Sequence, residues 1–355
     1  MKPRQRVSRT AGLAIAALVF SSHFGFAQGP ALPLPQPSPE ASVTQTVGIT
    51  KIAVNYHRPG VKNRKVWGGL VPFNTVWRAG ANENTTISFS DSVKIEGKSL
   101  APGVYGLHMI PNADEWTIIF NKNSTSWGSF FYNENEDVLR VKVKPVVAEQ
   151  QEWLGYEFAD LTDRSCIVAL RWEKLKVPFK VEIDVPATVL SYIRNEHLRG
   201  LSGFFWQGFN DAAAYCMRSN VNLNEALTWA DRSININRNF TNLLTKSRLL
   251  DKLGRGDEAK ALHEQAMLMA SETDINQLGY QYLNENKMKE AIETFKKNVK
   301  DYPKSWNVYD SLAEAYEKNG DKKLAIEYYS QALKLVLDET NKKRITQTID
   351  KLKGM

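Results

Sequence analysis

Cysteine is scarce in this chain. Two are present in 355 residues, Cys166 and Cys216, which excludes a scaffold stapled by disulfides. Each reads as a small buried hydrophobe rather than a nucleophile, and the sequence leaves open whether the two pair. Histidine is nearly as rare. The four beyond the N-terminal segment, His57, His108, His197 and His263, have no spacing that metal sites use. His263-Glu264 comes nearest to a zinc-protease helix, but Met267 stands where the second histidine is needed. Nucleophile-elbow, paired-cysteine, phosphate-loop and calcium-loop patterns are missing as well. No metal, cofactor or catalytic residue is therefore expected. No apolar run reaches the roughly 20 residues of a membrane span. The formal charge is +7, but Lys2, Arg4, Arg6 and Arg9 supply more than half of it. With no recognition module either, nucleic acid is not an expected partner.

What is present is ordinary globular composition, 43% hydrophobic and 24% charged, in a chain long enough for two domains. Residues 1–27 read as a signal peptide: a basic start, an apolar run over 11–20, and small residues Gly25 and Ala27 that set cleavage before Gln28. The expectation is an exported protein, periplasmic or extracellular, with no span after cleavage. Residues 28–40 form a linker whose prolines (Pro30, Pro33, Pro35, Pro37, Pro39) favour an extended tether.

From 41 to 185 the hydrophobic period is two. Nine strand-like runs, at 47–56, 85–89, 92–96, 104–110, 115–121, 137–144, 152–158, 166–173 and 177–184, alternate with turn signals. Close turns and no interrupting amphipathic helix predict an antiparallel all-β sandwich or barrel. The stretch 58–83 breaks the pattern. It is rich in glycine, proline, tryptophan and cations, and long irregular segments in compact domains are often functional. Arg58, Lys62, Arg64, Trp77, Arg78, Asn82 and Glu83 are its candidate ligand-binding residues. The cations suit an anion, and Trp67 and Trp77 suit a sugar ring or cation–π packing.

The residues VGITKIAVNYHRPGVKNRKVWGGLVPFNTVWRAGANENTTISFS, VKIEGKSLAPGVYGLHMIP, EWTIIFNK, WG, DVLRVKVKP and LRWEKLKVPF carry a resemblance to the bacterial family called domain of unknown function 2911. The resemblance covers about 40–185. It implies an exported protein of the Bacteroidetes group with no established activity. The family pattern has Ser at the place of His57 and Tyr or Phe at that of His108, which argues against a family-wide histidine metal site. Arg58-Pro59, Lys62, Arg64, Trp77-Arg78 and Asn82-Glu83 do match it.

After Pro186 the period becomes helical. Residues 186–206 read as a connecting helix, 207–339 as repeats and 340–355 as a C-terminal capping helix. Ala226, Ala259, Ala291 and Ala325 recur at spacings of 33, 32 and 34, the tetratricopeptide (TPR) period. Four such hairpins predict an α-helical solenoid whose concave face is lined by first helices. In the usual register that face presents Asp211, Tyr215, Arg218, Leu244, Arg248, Asn276, Tyr280, Asp310 and Glu314, a groove for a protein or peptide partner.

The resulting reading is a noncatalytic binding or scaffold protein. Its β-domain binds a small polar or glycan-like ligand and its repeats bind a protein. The alternative is a cell-envelope glycan hydrolase using Glu83 with Asp91 or Glu115, which requires two carboxylates facing each other at a fixed separation.

Overall fold

A computed structural model describes residues 34–354; the expected signal peptide and the first part of the tether lie outside them. The chain is an α+β two-domain protein, with ten strands followed by ten α-helices among the described residues. One sheet has the order β1(Glu40–Val47), β2(Thr50–His57), β3(Thr86–Phe89), β6(Gly103–Ile110), β7(Trp116–Asn121), β8(Asp137–Val143). The other has the order β5(Lys98–Leu100), β4(Val93–Ile95), β10(Ser165–Glu182), β9(Val146–Ala159). All pairings are antiparallel. Inward residues of both sheets, among them Ile52, Val54, Ile87, Leu107, Trp116, Ile118, Phe120, Trp172 and Phe179, merge into one core. The result is an open sandwich and not a closed barrel.

Two strands differ from their sequence pattern for identifiable reasons. The run 47–56 is not one strand, because Gly48 (φ +60°) and Ile49 make a two-residue hairpin turn. The strand before that turn, β1, is polar on its exposed face because it is the sheet edge. Conversely, the runs 166–173 and 177–184 belong largely to one 18-residue strand, β10. Inward residues are even-numbered up to Trp172 and odd-numbered from Val177. The phase flips at a bulge around Glu173, whose φ is +53°.

The helical half opens on α1(Val185–Tyr192). The Asp184 side chain caps it, accepting from the Ala187 N–H at 3.1 Å. The chain then winds through one π-helical turn at Ile193–His197. Four hairpins follow: α2(Trp206–Ser219) with α3(Leu223–Ile236), α4(Phe240–Lys252) with α5(Gly256–Met269), α6(Glu272–Asn284) with α7(Met288–Asp301), and α8(Trp306–Lys318) with α9(Lys322–Leu335). The solvating helix α10(Glu339–Gly354) buries Ile345, Ile349 and Leu352 against the last hairpin. Small residues set the helix approach. A Cβ at Gly279 would lie 2.4 Å from the fully buried Phe295 ring. No helix among the described residues is long and apolar enough to cross a membrane.

Candidate functional sites

The β-domain site is built on the outer face of the six-stranded sheet. Residues 76–78 run beside the second half of β6, and Trp77 and Met109 exchange both backbone hydrogen bonds at 2.8 Å. That register puts Arg78 opposite His108; His108 pairs with Ile119, and Ile119 with Arg140. Arg78, His108, Ile119 and Arg140 thus form one row across the outer face. The 122–136 segment folds over this row. It is fastened by Asn84, whose backbone N–H donates to the Ser126 carbonyl at 3.1 Å and whose side-chain amide donates to the Asn123 carbonyl at 3.1 Å.

Under that segment lies a polar cluster that sequence reasoning passed over. The Asp137 carboxylate accepts from Asn121 Nδ2 (2.7 Å), the Tyr132 hydroxyl (2.6 Å) and Arg140 Nε (2.6 Å). Arg140 also donates to the Tyr132 oxygen at 2.6 Å and reaches Glu134 at 3.0 Å. Burial, reinforced by the hydrogen bond to Asp137, pushes the Tyr132 phenol up to about 12. His108 is 2% exposed. Its Nδ1 lies 2.9 Å from Ser129 Oγ, and its ring meets Tyr132 edge-on. Burial pushes its imidazole down to about 4, against the opposing pull of Asp137. A serine in contact with an imidazole is the geometry of a nucleophile and its base. An imidazole this reluctant to take a proton is poorly matched to that task at neutral pH; it serves to fix the serine hydroxyl.

The residues singled out from sequence divide by what they touch. The Arg58 and Arg64 side chains are bound to the chain's own backbone, whereas the Lys62 ammonium lies 5.9 Å from the Trp153 ring centroid and only its main chain is tied. Arg58 Nε donates to the Leu154 carbonyl (2.8 Å), the Lys62 N–H to Glu152 Oε1 (2.9 Å), and Arg64 to the Gly60 and Val61 carbonyls (2.6 and 3.1 Å). The Arg58 and Lys62 bonds fasten the 58–64 loop to β9, and those of Arg64 close the loop on itself. The Trp77 ring stacks on buried Trp172 with centroids 6.0 Å apart, and the residue also lines the cavity beside Arg78. Trp67 packs edge-on against Trp77, Trp116 and Trp172, so both are core plugs. Asn82 holds the tether, donating to Gln36 and to the Ser38 carbonyl. Glu83 is half exposed and meets His57 Nε2 at 3.3 Å.

Arg78 is different. One bond, from Nη1 to the Asn82 carbonyl at 2.9 Å, fixes its guanidinium, and no carboxylate among the described residues lies within ion-pair distance. Burial lowers its pKa while Glu83 nearby raises it. It lines a cavity of about 230 Å³ with Val76, Trp77, Ser129 and Phe130. Gly128 (φ +62°) lets the main chain lie on the guanidinium, since a Cβ there would stand 2.3 Å from Nη1.

The carboxylates considered for glycan hydrolysis each have a separate partner. Glu83 meets His57, Asp91 accepts from Ser90 Oγ at 2.7 Å, and Glu115 pairs with Lys142 at 2.8 Å. No group of His, Cys, Asp and Glu among the described residues is arranged to hold a metal. Cys166 and Cys216 are both buried and unpaired, one in the sandwich core and one in the first helical cluster. Burial raises each thiol to about 11.

In the helical half, first helices lie side by side. Ser233 donates to the Trp206 carbonyl as Asn298 does to that of Glu272. This equivalence aligns Asn210, Leu244, Asn276, Asp310 and Arg344 in one row. Asn210 thus takes the place expected for Asp211, because the first hairpin has one more residue between its helices' matching points. Asp211 is exposed, and Tyr215 packs partly buried beside the first helical cluster. Cross-helix ties run along this face: Arg248 to Gln281 (2.8 Å), Tyr280 to Glu314 (2.8 Å) and Asp310 to Arg344 (2.8 Å). Buried atoms without a partner remain among them: Asn210 Oδ1, Arg248 Nη2, Asn276 Oδ1 and Asp310 Oδ1.

Comparison with known proteins agrees with this division. The family described as "Protein of unknown function (DUF2911)" matches residues 38–181, and the tetratricopeptide repeat family matches 308–343. Similar solved structures are MamA residues 41–end from Desulfovibrio magneticus RS-1 (17% identity, TM-score 0.27, 41% of this chain and 82% of that one) and YrrB, a TPR protein with an unusual peptide-binding site (15%, 0.27, 45% and 83%). PilF of Pseudomonas aeruginosa is another (14%, 0.27, 41% and 67%). No functionally curated protein matches the chain. The repeats support a protein-binding or scaffold role. Residues 38–181 thus match the family model described as "Protein of unknown function (DUF2911)", and a tetratricopeptide-repeat match at 308–343 follows in the same chain.

Proposed function

We propose that this is an exported, noncatalytic binding protein whose helical groove holds an extended segment of a partner protein. The observation that carries this is the face on which the first helices are tied side by side, Arg248 to Gln281, Tyr280 to Glu314 and Asp310 to Arg344, each at 2.8 Å, in a helical array whose last repeat matches the tetratricopeptide model. Polar and charged side chains at regular intervals along such a face suit the backbone N–H and C=O groups of an extended peptide. The β-domain is the second binding module and takes a small polar ligand at the Arg78 cavity. Export rests on the composition of residues 1–27. The hydrolase reading loses ground because its candidate carboxylates are separately engaged.

Selection of peptides from a displayed random library against the full chain tests the groove. The expected outcome is a family of peptides sharing a motif, with affinity falling about tenfold or more in Asn276→Ala with Asp310→Asn, since the first removes a polar side chain of the first-helix row and the second weakens the Asp310–Arg344 tie that shapes it. Selected peptides that bind this double variant as tightly as the parent chain would place the binding elsewhere.

A further inference from the structure

We infer that the cavity bounded by residues 76–78 and Ser129-Phe130 is a carboxylate-binding site, taking a single carboxylate carried on an apolar group. The inference rests on the reading of the β-domain as a binding module and is independent of the helical groove.

Three features define the ligand. The first is charge. Arg78 is half-buried, without a carboxylate partner among the described residues, and oriented by one bond to a backbone carbonyl. The Gly128 main chain packs on it from one side. A guanidinium with unused N–H groups facing a cavity is a fork for a planar anion. The second is the hydroxyl. Ser129 Oγ is held 2.9 Å from His108 Nδ1, and the imidazole is neutral at physiological pH because burial holds its pKa near 4. In the tautomer with the proton on Nδ1, the imidazole donates to Ser129 and the serine O–H is free to donate into the cavity. The third is the wall. Val76 and Phe130 line the cavity, and Phe130 is 78% exposed with Trp127 and Phe131 also exposed on the same segment. An apolar ligand group would cover Phe130.

The count of charges selects among anions. Arg78 brings one positive charge, and Glu83 places a negative charge close enough to raise the Arg78 pKa. A dianion such as a phosphate monoester would meet that repulsion twice over, whereas a carboxylate needs the one charge and the donors that are present. A cavity of about 230 Å³ is smaller than sites for drug-sized ligands. It admits the carboxylate and the first part of its apolar group. Two sources share this chemistry, a free small carboxylic acid and the C-terminus of a peptide.

The test uses the full chain and titrates N-acetylphenylalanine, N-acetylphenylalaninamide, phenyl phosphate, glucose and the peptide Ala-Ala-Phe with a free C-terminus. Binding is read by calorimetry and by the NMR signal of the Arg78 Nε–H. The acid is expected to bind and shift that signal, with the amide at least tenfold weaker. Arg78→Gln is expected to weaken the acid at least tenfold, and Ser129→Ala severalfold. Phe130→Ala, at a site too exposed to affect folding, lowers affinity in its own right. A peptide tighter than the small acid identifies a C-terminus as the source; equal affinities identify a free acid. Equal binding of acid and amide, tighter binding of phenyl phosphate, or binding of glucose alone at this cavity overturns the carboxylate assignment while leaving a binding module. No shift with any probe at millimolar concentration overturns both.

Discussion

His108 gives the sharpest perturbation of the β-domain. Its imidazole is buried and neutral, with a pKa near 4 in the folded protein against about 6.5 in an unfolded chain. A depressed histidine pKa means that the unfolded state takes up a proton that the folded state refuses. The stability that this group protects is present above about pH 6.5 and is lost as the pH falls toward 4. One proton corresponds to about 1.4 kcal/mol per pH unit, so lowering the pH from 6.5 to 4.5 removes on the order of 2–3 kcal/mol. Other groups of the chain also titrate across this range, so the measurement is a difference. Urea unfolding of the parent chain and of His108→Phe is followed by the fluorescence of the β-domain tryptophans between pH 7.5 and 4.5. The parent is expected to lose about 2 kcal/mol more than the variant over that range. Its His108 C2–H resonance is expected to stay unshifted down to about pH 5. Parallel stability curves, or a resonance titrating near 6.5, refute the burial argument and with it the account of how Ser129 is held.

Other outcomes follow from single contacts. Asp137→Ala strands Arg140, Tyr132 and Asn121 beneath the 122–136 segment; it is expected to cost about 3 kcal/mol and to expose that segment to limited proteolysis. Gly279→Ala drives a methyl into Phe295, which should lower the melting temperature of the helical half through an overpacking cost of about 1–3 kcal/mol. Separately expressed segments 34–184 and 185–354 are each expected to melt cooperatively, the first with β-type and the second with helical circular dichroism. If neither does, the two halves share a core. N-terminal sequencing of the secreted protein is expected to begin at Gln28, and a start at Met1 would contradict export by cleavage.

The sandwich and the solenoid were legible because both rest on periodicity: alternation in β2, and small residues at intervals of 32 to 34 in the repeats. Where the period is broken locally, the sequence misleads. The bulge at Glu173 splits one strand into two apparent runs, and the polar edge strand β1 has too little alternation of hydrophobicity to register. The site was legible only in part. Arg78 stands out as a cation in an irregular segment, but so do Arg58 and Arg64, and only the fold reveals that those two are spent on backbone carbonyls. Trp67 and Trp77 look like ligand platforms in sequence because a tryptophan in a core and one on a surface are written alike. The cluster of His108, Asn121, Ser129, Tyr132, Asp137 and Arg140 joins three strands and a loop, so no linear motif holds it. One signal did exist: the irregular polar and aromatic stretch 122–136 between two strands, which like 58–83 interrupts the period of two.

The central claim is that the inner face of the helical stack holds a protein partner. Site-specific photocrosslinking in the native cell tests it most directly. One photoreactive side chain replaces Gln281, exposed beside Arg248 on α6, and another replaces Lys260, exposed on the second helix α5. The account predicts a discrete crosslinked protein from position 281, lost on adding Asp310→Asn with Asn276→Ala, and none from position 260. Crosslinks of equal yield and identity from both positions, or none from 281 while 260 reacts, would contradict it.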